Sequence, residues 1–339
     1  MVASSSAWYN HICFRLIITA ALLLLCFAVV NPGEILYAIV NVKPAFFISA
    51  LILNSVGTIL AKAWIGRLAT RASGLKLKFW KLVQVNLITR FYTIALPRGA
   101  SAAIKWHHYK KGGSGHAAAA LLLFENLVSI FTLFLSAAII LGIEFKQTGR
   151  IGYFLFPLAC FGSVTTALIL LPFLHYPTAM IFIRIKNFLF KGSERLSGTL
   201  NKLIDAIINY HTITARRVGS IFLISVFGYV FFILSAWVLA EGMGLGLGLL
   251  AIAWVRSLTL LVALMPITVA GLGLREGALI TLLSAYGVSP SAAFAYAIAS
   301  FVIQLFLGLV GAVLEAFRLL KCSRNVEEAN SDLINKDLM

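Results

Sequence analysis

Arg90, Arg256 and Glu125 each lie inside an apolar stretch of the chain, in ITRFYTIALPRGASAAIK, VRSLTLLVALMPITVAGLGLREG and LLLFENLVS respectively. A charged side chain is costly in such surroundings, so all three should face a polar interior. Arg275 and Glu276 follow Gly271 and Gly273, and a glycine-rich break leaves backbone N–H groups and a guanidinium able to converge on one anion, such as a phosphate. The competing reading is that the two charges satisfy each other and the local backbone. Glu125 sits nine residues into its apolar stretch, about 13 Å at the helical rise. It is a candidate counter-ion or proton-coupling group, with a structural ion pair as the alternative.

Two of these stretches echo one another. The first holds Arg90, Pro97, Gly99 and Lys105; the second holds Arg256, Pro266, Gly271, Gly273, Arg275 and Gly277. Each has an Arg in an apolar run, a proline about ten residues later, then small residues, then a basic residue. Proline removes a backbone donor and glycine permits the turn that follows, so Pro97 with Gly99, and Pro266 with Gly271, Gly273 and Gly277, mark breaks in helices. An inverted repeat of this kind is a plan on which transporters build a midplane site.

The elements that must position these residues are membrane helices. Of 339 residues, 60% are hydrophobic and 12% charged, against about half and a quarter in soluble domains. Apolar blocks occupy 16–31, 44–65, 116–143, 151–172, 218–240 and 290–317, and a span needs about 20 residues. The fold class expected is an all-α integral membrane protein, a bundle of about six spanning helices plus two re-entrant or broken segments. A β-barrel is excluded because the blocks lack its short-period alternation. The block at 16–31 imitates a signal peptide, but no small-x-small pattern precedes Asn31, so a retained helix is expected.

Lys and Arg number 28 against 12 Asp and Glu, but most lie in short stretches beside apolar blocks, as a topology signal does, so nucleic acid is not expected as a partner. Basic loops at 62–81 and 98–111 flank the apolar run 79–97 and should both be cytoplasmic. A re-entrant 79–97 removes the conflict; an ordinary spanning helix is the alternative. Segment 173–217 reads as a cytoplasmic amphipathic loop, with Leu196, Leu200, Leu203, Ile204, Ile207 and Ile208 at helical spacing. Residues 1–320 form the membrane domain and 321–339 a polar, disordered tail, with both termini cytoplasmic in an inner (plasma) membrane. Arg15 and Lys62 are near enough to helix ends for snorkelling to account for them.

Catalytic signatures are sparse. The chain has no GxxxxGK[ST] loop for ATP. Cys13, Cys26, Cys160 and Cys322 have no metal or disulfide spacing, and His107 and His108 point to different sides of a helix and read as interfacial. No cofactor and no metal are expected.

LPRGASAAIKWHHYKK, LLLFENLVS and above all MPITVAGLGLREGALITLLSAYGVSPSAAFAYAIASFVIQLFLGLVGA resemble the lysylphosphatidylglycerol synthase transmembrane family, over residues 10–320. The resemblance implies a flippase-like membrane domain, fused in some members to a soluble aminoacyltransferase; here a stand-alone member is expected. It further implies a lipid flippase or lipid-transport factor acting on an anionic or glycosylated headgroup. The alternatives are an accessory subunit or a transferase of a glycolipid, polyprenyl-lipid or hopanoid pathway. Lipid-biosynthesis enzymes and a second copy of the chain are the candidate protein partners. Pro97, Gly99, Lys105, Glu125, Pro266, Gly271, Gly273, Arg275, Glu276 and Gly277 match the family pattern. The chain departs from it at Asn126 and Ser129, and at Ser300, where an Arg is common.

Overall fold

The computed structural model describes residues 33, 42–96, 98–143, 149–174, 206–207, 214–263 and 273–337. The apolar block 16–31, most of segment 173–217, and Pro97, Pro266 and Gly271 lie outside the described residues. The described secondary structure is helical, with no strand among it. Helix α1 (Pro44–Ser55) passes through a π turn (Val56–Leu60) into α2 (Ala61–Ser73). There follow α3 (Phe79–Ala95), α4 (Arg98–Lys110), α5 (Gly115–Ile143), α6 (Gly149–Leu174), α7 (Ala215–Gly242), α8 (Leu249–Ala263), α9 (Leu274–Ser284) and α10 (Pro290–Asp337). Four stretches are long and apolar enough to cross a membrane: Pro44–Thr70, Gly115–Ile143, Arg216–Gly242 and Pro290–Leu320.

Buried residues form two main clusters, one toward each end of the bundle. The first gathers Leu75, Leu77, Tyr109, Ala117, Val128 and Ile221. The second gathers Ala50, Ala137, Leu239, Leu247, Leu283 and Ala293. Basic residues crowd beside the first cluster, including Arg67, Lys76, Lys78, Lys110, Lys111, Arg216, Arg217 and Arg318, and it is called here the basic end.

Gly74 ends α2 at φ +69°, a left-handed position that glycine takes without penalty. The chain then turns at the basic end into α3. Leu96, preceding a proline, is extended at φ −129° and ψ 158°, as the clash with the proline ring demands, and helical conformation stops there. Helix α4 runs back beside α3, and the Lys76 N–H donates to the Gly112 carbonyl at 2.9 Å. Segment 76–112 is thus a helical hairpin with both ends at the basic end, held against α10, where Gly308 and Gly311 let the two backbones meet.

Helices α8 and α9 form a second hairpin, with Trp254 and Tyr286 edge to face at 5.9 Å near its open end. That open end, marked by Leu247 and Leu283, belongs to the opposite cluster. The open ends of the two hairpins therefore lie beside opposite clusters of the bundle.

Several expectations are corrected. The stretches 62–81 and 98–111 are not loops: α2 continues to Ser73 and α4 occupies 98–110. The run 79–97 is one arm of a longer helical hairpin: α3 ends at Ala95, Leu96 is extended, and α4 forms the second arm. Gly99 and Gly277 lie within the first turns of α4 and α9, not in the breaks. His108 is buried at 1% exposure while His107 is exposed, since neighbouring residues on a helix diverge by about 100°. Helix α10 runs on to Asp337, through the stretch read as a disordered tail.

Candidate functional site

Between the two clusters the bundle opens into a cavity of about 350 Å³. On α5 the first cluster ends at Val128 and the second begins at Ala137, and Ser129, Thr132 and Leu133 between them line the cavity. On α7 it is reached by Ser225, Gly228, Tyr229 and Phe232, near the middle of a 28-residue helix. The cavity therefore lies at mid-height of two spans.

Four cations line it: Lys62 from α2, Arg90 from α3, Arg256 from α8 and Arg275 from α9. Both hairpins thus contribute, and Arg90 and Arg256, the matching members of the sequence echo, meet at one space. Arg256 is 4% exposed, its guanidinium 5.0 Å from the Phe232 ring centre. The Nε atoms of Arg90 and Arg256 are buried with no hydrogen-bond partner among the described residues. An Arg at a helix centre costs about 2.5–3.5 kcal/mol even by the gentlest membrane-insertion scales, so two such orphaned donors beside one cavity call for a ligand or water.

Arg275 differs. Its Nε donates to Glu276 Oε1 at 3.0 Å and its Nη2 donates to the same oxygen at 2.5 Å, while Glu276 Oε2 accepts the Gly273 N–H at 2.8 Å. Gly273, at φ +80°, precedes the first turn of α9, so Glu276 caps that helix and neutralises Arg275 together. Arg275 thus pairs with Glu276 and also lines the cavity.

Lys105 and Glu125 are not brought to the cavity. Lys105 Nζ lies 2.7 Å from Glu125 Oε2, and the Tyr109 hydroxyl donates to the same carboxylate at 3.0 Å. All three are buried, and Gly66 makes the room, since a Cβ there would stand 2.5 Å from Glu125 Oε1. This is the structural ion pair weighed in the sequence. At the basic end His108 accepts from Arg318 Nη1 at 2.9 Å, and Arg318 also pairs with Glu315 at 3.1 Å, tying α4 to α10.

Lys62 is the cavity residue that sequence reasoning missed. The sequence places it near a helix end, but α2 continues eleven residues beyond it to Ser73. Arg67 and Arg71 disguised the continuation; the signal available was the run of helix-compatible residues from Ala61 to Ser73.

The family model described as the lysylphosphatidylglycerol synthase TM region matches residues 12–311. The chain belongs to the lysylphosphatidylglycerol synthase transmembrane family. That match takes in both hairpins, the cavity and nearly all of the bundle, and it places this member among membrane-lipid-related proteins. A search of the curated proteins finds no match.

Proposed function

We propose that this family member is a lipid flippase or lipid-transport factor of the inner membrane, moving an anionic headgroup between leaflets while the acyl tails stay in the bilayer. The observation that carries the proposal is the convergence of Lys62, Arg90, Arg256 and Arg275 on one mid-height cavity, with buried Nε atoms on two of them that have no partner among the described residues. A guanidinium grips phosphate through parallel hydrogen bonds, and preorganised cations offset the cost of drawing a headgroup out of water. Two hairpins entering from opposite ends suit alternating access around a fixed site. The crowding of Lys and Arg at the basic end favours that end as cytoplasmic.

The test is leaflet-resolved movement of a fluorescent anionic phospholipid in proteoliposomes of the full chain, read by quenching of the outer leaflet. Wild type should accelerate exchange, and Arg256→Gln should lower the rate at least tenfold with the protein still inserted. Exchange no faster than in protein-free vesicles would overturn the reading.

A further inference from the structure

Charge balance in the cavity narrows the headgroup. Of the four lining cations, Arg275 has its acidic partner in Glu276. No ion-pair partner is found for Lys62, Arg90 or Arg256 among the described residues, whereas Lys105 is held by Glu125. A lipid phosphodiester brings one negative charge and leaves two of these three cations without a counter-charge. Arg256 is buried, and buried charge is tolerated only when paired and hydrogen-bonded, so a single phosphate is the weaker match. A diphosphate brings at least two charges on adjacent groups and spreads its oxygens over both hairpins at once.

The hydroxyls of the wall add a second constraint. Thr93, Ser129 and Thr259 donate their O–H groups to carbonyls one helical turn back, at 2.8, 2.8 and 2.7 Å. Thr58 does the same to Asn54 at 2.8 Å. With the proton engaged, each oxygen offers lone pairs only. Such acceptors suit hydroxyl donors and repel further phosphate oxygens. A wall of cations and hydroxyl acceptors together describes a phosphate-linked polyol. At about 350 Å³ the cavity lies at the small end of ligand sites, so the headgroup is compact.

Resting on the lipid-transport reading above, we infer that the headgroup is a sugar or comparable polyol joined to its lipid through a diphosphate. Lys62, Arg90 and Arg256 hold the two phosphates, and the threonine and serine oxygens receive the sugar hydroxyls.

The full chain in phosphatidylcholine vesicles would be titrated with two prenyl lipids identical in chain and hexose, one linked through a diphosphate and one through a single phosphate. The diphosphate lipid should bind at least tenfold more tightly. Lys62→Gln and Arg90→Gln should each cut its affinity at least tenfold, while changing that of the monophosphate lipid less than threefold. Lys62 projects into open space, so its variant separates loss of charge from loss of fold. Equal affinity for the two lipids, or an affinity ratio untouched by both variants, overturns the diphosphate assignment. If the phospholipid in the exchange assay is nevertheless moved, lipid transport itself stands. Inorganic pyrophosphate should compete only weakly. Binding of pyrophosphate as tight as that of the lipid, with no lipid exchanged, would instead keep the diphosphate site and remove the lipid.

Discussion

Lys76 donates its backbone N–H to the carbonyl of Gly112 at 2.9 Å, although two complete helices lie between them in sequence. That one bond closes the first hairpin at its base and makes both flanks share an end of the bundle. Cysteines at Lys76 and Lys111, both exposed, should react with an impermeant thiol reagent from the same side of the membrane, and a cysteine at Ser289 only from the other. Labelling of positions 76 and 111 from opposite sides would contradict the hairpin.

The Lys105–Glu125 pair should behave as a unit. Removing one partner leaves a buried charge unmatched, at a cost of about 3–5 kcal/mol. Lys105→Met should therefore lower the melting temperature in detergent sharply, and Lys105→Met with Glu125→Gln should recover much of the loss. Lipid exchange by the folded double variant should remain near wild type, because neither residue lines the cavity.

Arg275 should matter beyond its neighbour. Arg275→Ala should slow lipid exchange at least tenfold, since losing one partner of a desolvated charged contact costs about 2–5 kcal/mol. Arg275→Ala combined with Glu276→Gln keeps an acceptor for the Gly273 N–H while removing both charges. We expect that double variant to fold and to stay inactive; near-normal exchange would show that Arg275 serves Glu276 alone.

Gly57 and Gly228 should tolerate no side chain. A Cβ at Gly57 would stand 2.5 Å from the Gly228 carbonyl oxygen, and one at Gly228 would stand 2.8 Å from the Ala61 Cβ. Overpacking of this kind costs about 1–3 kcal/mol, so Gly57→Ala should melt earlier than wild type. Gly219→Ala, where nothing lies within 4 Å, serves as the control and should be unchanged or slightly more stable.

His108 supplies a pH dependence. It lies near the hairpin's base at the basic end, outside the four spans. Burial, then Arg318, Lys81, Lys111 and His107, lowers its pKa to about 4, with Glu315 nearby. The folded state keeps the ring neutral while the unfolded chain takes up a proton near pH 6.5. The stability is therefore whole above about pH 6.5 and is lost as pH falls toward 4, by about 2 kcal/mol at pH 5. Melting curves at pH 7.5 and 5.0 should separate, and in His108→Asn that component of the separation should vanish.

Much of the architecture was legible because membrane helices are written in long apolar runs, and the runs 116–143, 218–240 and 290–317 lie within α5, α7 and α10. Arg90 and Arg256 were legible as cavity residues because a charge inside such a run needs a polar surface to face, whereas the same argument applied to Glu125 found an ion pair instead; Arg275 was marked by the glycine-rich break before it. Lys62 was hidden because hydropathy cannot tell the end of a helix from the end of its apolar part. The partner of Lys105 was hidden for another reason: Glu125 lies on a different helix, and only the packing of α4 on α5 brings the two within 2.7 Å. The bond between His108 and Arg318, 210 residues apart, is equally non-local.

The π turn at Val56–Leu60 has a mechanical consequence. A π turn holds one residue more than regular α geometry allows, and each residue of a helix advances the angle by about 100°. Asn54 stands before the turn and Lys62 after it, so the turn sets the rotational phase between them. Were it to relax into α geometry, every side chain beyond it would swing by about 100° about the axis, taking Lys62 out of the cavity while the helix kept its place in the bundle. Were it to slide along the helix, the residues it passed would rotate in succession, like a kink travelling down a rope, with both ends held fast.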